Sequence, residues 1–412
     1  MMTLENQVLF LHTNYPAQFR FLVKAYSANK WDVWFASHTK KHEILPQIKY
    51  IKLNSGTCKG SKLDQQQRKS VIVFYQLLHA KRNLGLNPKR IYIHTGWGLG
   101  AFVKELFPKS LVFAYSEWWF NLFSEDYLFD PNNSNVSHSL DSKLFSLLRN
   151  QGFAFELMQA DVIITPTKWQ CQQLPENFRE KANVIFDGID PKMFSPGPQE
   201  IDLDKFLPGV DQKVPLLTYA TRGLEPYRGF PEFVKAAAYL LQSDPNWQIA
   251  IAGTDSANYH KNKNSPKRGY GAEAMDYFKS IGVSHRVHML GTLPFGAYRD
   301  LLRRSNLHCY FTRPYVLSWS LLESAITGCS LFVSNTKPVA EFLENDEGTI
   351  LVDHTAKDLG VNLLKAATTI RNKSISPFEL RKSRESLLEI VSVENCIDQH
   401  FALAKSFDQS RN

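Results

Sequence analysis

Cysteine is scarce in this chain: Cys58, Cys171, Cys309, Cys329 and Cys396 are the only five in 412 residues. They are scattered, odd in number and form no CxxC pair, so no disulfide framework is expected and a reducing compartment fits best. They read as buried spectators. Long apolar runs are missing as well. No stretch holds eighteen uncharged apolar residues, so no transmembrane helix is expected. The first residues, MMTLENQVLFLHTNYPAQF, lack a basic region and carry only a short apolar run, which argues against a signal peptide. The expected setting is cytoplasmic. Internal repeats are absent, and the one polar tract is NNSNVSHS. No nucleic-acid-binding signature accompanies the charge.

What is present describes a globular protein. Apolar residues make up 43% and charged residues 21%. The length exceeds one ordinary core, so two domains are expected. Net charge is +8 and the isoelectric point about 9.0, which favours anionic partners. The stretch Lys40–Lys69, rich in Lys and Gln and carrying Arg68, is either a solvated basic face or a surface for peripheral contact with the inner face of a membrane.

Short apolar runs alternate with helical patterns. QVLFLH, WDVWFAS, RIYIHT, LVFAYSE, DVIITPT and NVIFDG are rich in Val, Ile, Leu and Phe, as strands buried on both faces should be. Helical segments between them imply right-handed crossovers and a parallel sheet. DPKMFSPGPQE, with three prolines and a glycine, reads as a linker. A second alternation then runs from VPLLTYA to GTILVD. The expected fold is α/β: two doubly wound, Rossmann-like domains, residues 1–195 and 196–392, facing a cleft. A terminal helix, 393–410, is expected to return to the first domain. Ligands in such sheets bind at the carboxyl ends of strands.

Two stretches of the second domain carry chemistry. TRGLEPYRGFPEF follows its first strand and holds Arg222 and Arg228 about a tight Gly-Pro loop. Two guanidinium forks there suit a diphosphate, and surface pairing with Glu225 is the plainer reading. RPYVLSWSLLESAITG begins as a strand-end loop and becomes a helix. Free N–H groups at that helix start, with the Ser318 and Ser320 hydroxyls, favour a phosphate. Glu323 interrupts an apolar run. Ser320 to Glu323 fits a capping box, and a carboxylate facing the cleft would instead suit a ribose diol. Asp202-Leu-Asp204 is a D-x-D, but it lies beside the linker rather than at a strand end.

In the first domain, RIYIHTGWGLGA places Gly96, Gly98 and Ala101 as G-x-G-x-x-A between a strand and an expected helix, with Glu117 about twenty residues on. That is the dinucleotide fingerprint, and an NAD-dependent oxidoreductase is a rival reading. It leaves the paired arginines and Glu323 without a role. His94 and Glu117 both end strands, as do His12 and Asn14 of HTNYPAQF. Glu117 at such a strand end is a candidate general base, and a cap or arginine partner is the plainer reading. The aromatic EWWF is a sugar-stacking wall or core packing.

These stretches also carry a resemblance. TRGLEPYRGF resembles the diphosphate-binding Arg…Lys-Gly motif of family 4 glycosyltransferases of the GT-B fold, with Arg222 on the family arginine and Arg228 where lysine is usual. YVLSWSLLESAITGCSLFVSN resembles the E-x7-E segment, and KPVAEFL the stretch after it. ADVIITPTKWQCQQLP and NVIFDGIDPKMFSPG resemble the closing strand, helix and linker of the first domain. HTGWGL and YSE resemble HPGWGE and Y-x-E segments of a subgroup, with Thr95 for proline and Leu99 for glutamate. The resemblance implies a retaining hexosyltransferase without bound metal or cofactor. It would move sugar from a UDP- or GDP-linked donor to a polysaccharide, lipid-linked or small-molecule acceptor. It implies diphosphate contacts from Arg222, Arg228, Ser318 and Ser320, and a ribose contact from Glu323. Tyr315 stands where the family has the first acid, which contacts the donor sugar. Glu117 stands near a family histidine that faces donor sugar and acceptor. Tyr315 also keeps open a catalytically silent nucleotide- or glycan-binding subunit.

Overall fold

The computed structural model describes residues 6–40, 42–54, 56, 60, 62–122, 124–129, 139–197, 207, 210, 213–256, 266–372 and 382–410. Cys58 and the Asp202-Leu-Asp204 motif lie outside them. The chain forms two compact units. The first comprises Met1–Ser124, Ser139–Gly188 and Val393–Asn412, and the second Glu125–His138 and Ile189–Ser392.

Among the described residues, nine strands belong to the first unit: β1 (Gln7–Leu11), β2 (Asn14–Tyr15), β3 (Asp32–Ser37), β4 (Thr39–Lys40), β5 (Lys49–Lys52), β6 (Arg90–His94), β7 (Leu111–Tyr115), β8 (Val162–Thr165) and β9 (Ala182–Val184). Seven form one sheet in the order β5-β3-β1-β6-β7-β8-β9, and β2 pairs with β4. Every pairing among them is parallel. The central strands β6, β7 and β8 are buried at every residue. Their unbroken apolar runs follow from cover on both faces of a parallel sheet.

The second unit repeats the plan with β10 (Leu216–Gly223), β11 (Gln248–Thr254), β12 (Val287–Gly291), β13 (Leu307–Tyr310), β14 (Leu331–Ser334) and β15 (Thr349–Val352). They form a parallel six-stranded sheet in the order β12-β11-β10-β13-β14-β15. Strand order reverses direction beside β1 and beside β10. Those switch points open a crevice at the carboxyl ends of the flanking strands, β1 and β6 in one unit and β10 and β13 in the other. The helix Phe230–Ser243 shows how sequence sets the packing. Phe230, Phe233, Val234, Ala237, Leu240 and Leu241 recur at helical spacing and are all buried. Gly229, in the left-handed region at φ 63°, allows the sharp entry.

The division departs from the expected boundary at 195. Ile189 N–H donates to Val391 O at 2.7 Å, and Arg303 donates to Ser195 O at 3.0 Å. These bonds tie the linker's first half to the second unit. The segment after Ser124 joins that unit too, because Glu125 pairs with Lys337 and the Phe129 ring stacks on His354. The helix Val393–Ser410 is in the first unit. Phe401 meets Tyr26 with ring centroids 4.8 Å apart, and Asp408 pairs with Arg90 at 2.7 Å.

Candidate active site

In the first unit the strand ends converge on a polar cluster. His94, the last residue of β6, is 3% exposed. Its ring lies 4.5 Å from that of His12, which follows β1. His12 Nε2 bonds Gln18 Oε1 at 2.9 Å, and Gln18 Nε2 donates to Glu117 Oε1 at 3.2 Å. Gln170 Nε2 donates to the Glu117 carbonyl at 2.6 Å. His94 Nε2 lies 3.8 Å from Glu117 Oε2, too far for a hydrogen bond. Two glutamines therefore hold Glu117, one at its carboxylate and one at its carbonyl, and the sequence reading had singled out neither Gln18 nor Gln170.

The state of His94 follows from its neighbours. The indole N–H of Trp97 donates to His94 Nδ1 at 3.2 Å. Nδ1 also lies 3.2 Å from the Thr95 carbonyl, so it faces one donor and one acceptor, and either ring nitrogen can carry the proton. Burial lowers the His94 pKa to about 4, which keeps the ring neutral near pH 7. Its Nε2 is buried with no hydrogen-bond partner among the described residues.

The Gly96–Ala101 loop does not do what its glycines suggest. No helix starts on it: after turns, the next helix is the four-residue Val103–Leu106. Its N–H groups converge on Glu156, a carboxylate fully buried in the helix Asn150–Met158. Gly96 N–H donates to Oε2 at 2.6 Å and Gly100 N–H to Oε1 at 2.9 Å, with Trp97 and Gly98 also donating. The protein's own acid thus fills the place a dinucleotide pyrophosphate would need, which overturns the fingerprint reading. Burial raises the Glu156 pKa to about 7 against the lowering effect of these donors. The glycines serve close packing. A Cβ on Gly96 would stand 2.4 Å from the Phe153 ring, and one on Gly98 2.2 Å from Ser70 Oγ.

In the second unit Arg222 lies near the end of β10 and is exposed. Its carbonyl accepts from Thr254 Oγ1 at 2.7 Å. Gly253, at φ 145°, lets the backbone pass: a Cβ there would be 2.4 Å from Thr221 O. Arg228 ends the 3-10 turn Pro226–Arg228, half-buried, and its carbonyl accepts the Tyr219 phenol at 2.7 Å. Glu225 beside them is buried.

The loop after β13 feeds the helix Trp319–Ile326, whose N-cap is Ser318. Ser320 is therefore inside the helix, and the expected capping box is not formed. Ser318 makes no side-chain cap; its hydroxyl bonds that of Ser320 at 2.9 Å. Glu323 is two residues too deep for a capping box and is buried at 5% exposure; its helix neighbours Leu321, Leu322, Ser324, Ala325 and Ile326 are buried too. Burial first, then the Glu323 charge, pushes the Tyr298 phenol well up. Tyr315 packs edge-on against Tyr227 with centroids 5.5 Å apart. Arg313, buried, continues the stack 5.8 Å from the Tyr227 ring and 5.4 Å from that of Phe129. The arginine at the head of this loop is thus a packing cation within the described contacts. Among the described residues no group of three or more His, Cys, Asp or Glu is placed to hold a metal ion, and no helix is long and apolar enough to cross a membrane.

Two parallel α/β units with polar groups at the strand ends define a GT-B architecture. Two family models match in succession, one for a glycosyl transferase family 4 group over residues 29–194 and one for glycosyl transferases group 1 over residues 201–372. The chain belongs to the group 1 glycosyltransferases of the GT-B fold. No match is found among curated protein sequences. Solved structures are similar across nearly the whole chain. Sucrose-phosphate synthase from Thermosynechococcus elongatus has a TM-score of 0.72 at 14% identity, covering 98% of this chain and 100% of its own. A glycosyltransferase from Rickettsia africae has 0.69 at 11%, covering 98% and 99%. Anabaena HepE in complex with UDP-glucose has 0.66 at 15%, covering 97% and 99%.

Proposed function

We propose that this glycosyltransferase takes a nucleotide-diphosphate sugar, with a uridine nucleotide the first choice, and transfers the sugar with retained anomeric configuration and without metal. The second unit would hold the donor. Arg222 and Arg228 would take the diphosphate, helped by the Ser318 and Ser320 hydroxyls at the helix start, Glu323 the ribose diol, and Tyr315 the sugar. The observation that carries this reading is the position of Arg222 and Arg228 at the carboxyl end of β10, beside the point where the strand order of the second unit reverses and ligands of such sheets bind. Neighbours solved with UDP, with UDP and glucose, and with UDP-glucose support the nucleotide class.

As the bond from the anomeric carbon to the diphosphate oxygen breaks, negative charge grows on the diphosphate. Each charge-assisted hydrogen bond from an arginine contributes about 1.5–3 kcal/mol toward holding it. The first unit would hold the acceptor. The Glu117 carboxylate, held by Gln18 while Gln170 holds the residue's carbonyl, would orient the acceptor hydroxyl or take its proton. The His94 Nε2 would share a hydrogen bond with an acceptor hydroxyl. The acceptor class is a glycan, a lipid-linked saccharide or a small molecule. The exposed cations Arg68, Lys81 and Arg82 of the helix Lys62–Asn83 suit contact with an anionic membrane face.

Thermal unfolding with UDP, GDP, ADP and NAD tests the donor half. A nucleoside diphosphate at one hundred times its Kd stabilises by about 2.7 kcal/mol. One diphosphate is expected to raise the Tm by several degrees in the wild type and not in Arg222→Ala/Arg228→Ala. A response to NAD alone that survives the double substitution refutes the assignment.

A further inference from the structure

Trp97 is the one large side chain that the Gly96–Gly100 loop turns outward, and it is 50% exposed. Everything around it is fixed. Its flanking glycines hold φ of 95° and 75°, and the loop's N–H groups are clamped on buried Glu156. Phe153 and Ser70 close the space beneath Gly96 and Gly98. The indole N–H is taken by His94 Nδ1, so the ring cannot swing freely. An exposed indole is common, but one locked by backbone and side chain together presents a fixed apolar face at little cost in side-chain entropy.

A second observation points to a ligand at the same place. The His94 imidazole that Trp97 holds is buried, and its Nε2 has no hydrogen-bond partner among the described residues. A buried ring nitrogen without a partner is unfavourable whether or not it carries the proton, and an incoming hydroxyl, which donates or accepts, would relieve it. An apolar aromatic face beside a polar atom that lacks a partner matches a pyranose, whose C–H face stacks on aromatic rings while its hydroxyls make hydrogen bonds.

We propose that Trp97 is a stacking platform for a pyranose ring of the acceptor, set beside His94 Nε2. This rests on the reading that the first unit binds a saccharide acceptor. It adds a class: the group nearest the reacting hydroxyl is a sugar ring rather than an acyl chain or an aromatic aglycone.

Saturation-transfer NMR tests it with methyl glycosides of glucose, galactose, mannose and N-acetylglucosamine, each added at millimolar concentration to full-length protein with saturating UDP. UDP binding is read from its own signals in the same tubes. At least one pyranoside is expected to receive saturation on the protons of one ring face. Trp97→Ala is expected to weaken that binding at least tenfold while leaving UDP signals unchanged. Trp97→Phe keeps a ring but loses the bond to His94, and is expected to stay within about threefold of wild type. The platform is refuted if UDP binds but no pyranoside does, or if Trp97→Ala binds as well as wild type. It is refuted too if Trp97→Phe fails as badly as Trp97→Ala, since Trp97 would then only brace His94. Absence of UDP binding refutes the donor reading itself, and this inference with it.

Discussion

Two carboxylates interrupt apolar helices, and their environments separate their roles. Glu156 accepts backbone N–H groups from one loop, so it is structural; Glu323 is buried in the helix fed by the loop after β13, and its charge acts on the Tyr298 phenol. Glu323 was legible in sequence because it is the one charge in VLSWSLLESAI. Glu156 stands in FAFELM in the same way, but its partner loop lies 56 to 60 residues earlier and nothing in the spacing reveals it. Its pKa near 7 has a consequence. The folded state holds a proton that the unfolded chain releases near 4.5, so stability is lost as pH rises from 4.5 through 7. The loss is on the order of 3 kcal/mol at most, and Glu156→Gln, neutral throughout, is expected to abolish it in Tm measured against pH. His94 acts with the opposite sign. Its folded pKa of about 4 lies below the ordinary 6.5, so stability falls as pH drops from 6.5 through 4. Urea unfolding at pH 7 and pH 5 should show a smaller acid loss in His94→Gln than in wild type.

The strands that position the site were readable because both-face burial makes them continuous apolar runs. The loop after β6 was not, since G-x-G-x-x-A predicts a helix start and the structure sends those N–H groups to Glu156 instead. The two-residue β2 and β4 are too short to leave a periodic signal. The helix Trp319–Ile326 has an anchor that sequence also hides. Arg384, fully buried in the helix Lys382–Val391, donates to the Ala325 carbonyl at 2.9 Å and pairs with Asp346 at 2.9 Å. Removing one partner of a buried pair costs about 3–5 kcal/mol, because the other charge is left desolvated. Arg384→Met is expected to lower the urea midpoint accordingly, and Arg384→Met/Asp346→Leu to recover most of the loss. Gly229→Ala meets two obstacles, a positive φ and a Cβ 2.5 Å from that of Phe311. It is expected to cost about 1–3 kcal/mol in the same measurement.

At the scale of the molecule, two alternations of strand and helix separated by a proline-rich stretch made the two-unit plan legible. The crossings of the chain were not. Glu125–Phe129 joins the second unit through an ion pair and an aromatic stack that only the folded chain brings together. The basic balance of the whole chain predicts that any binding to vesicles of anionic lipid weakens steeply between 50 and about 300 mM salt, as screening requires. Co-sedimentation with anionic and with neutral vesicles measures this. The central claim, transfer of sugar from a nucleotide donor, is tested most directly by following UDP-, GDP- and ADP-hexoses by proton NMR with the protein and a panel of saccharide acceptors. The account predicts release of the diphosphate from one donor, a product of retained anomeric configuration, and a loss of at least a hundredfold in Arg222→Ala/Arg228→Ala. No release from any donor while the diphosphate still binds would contradict it and leave the chain a silent nucleotide-binding subunit.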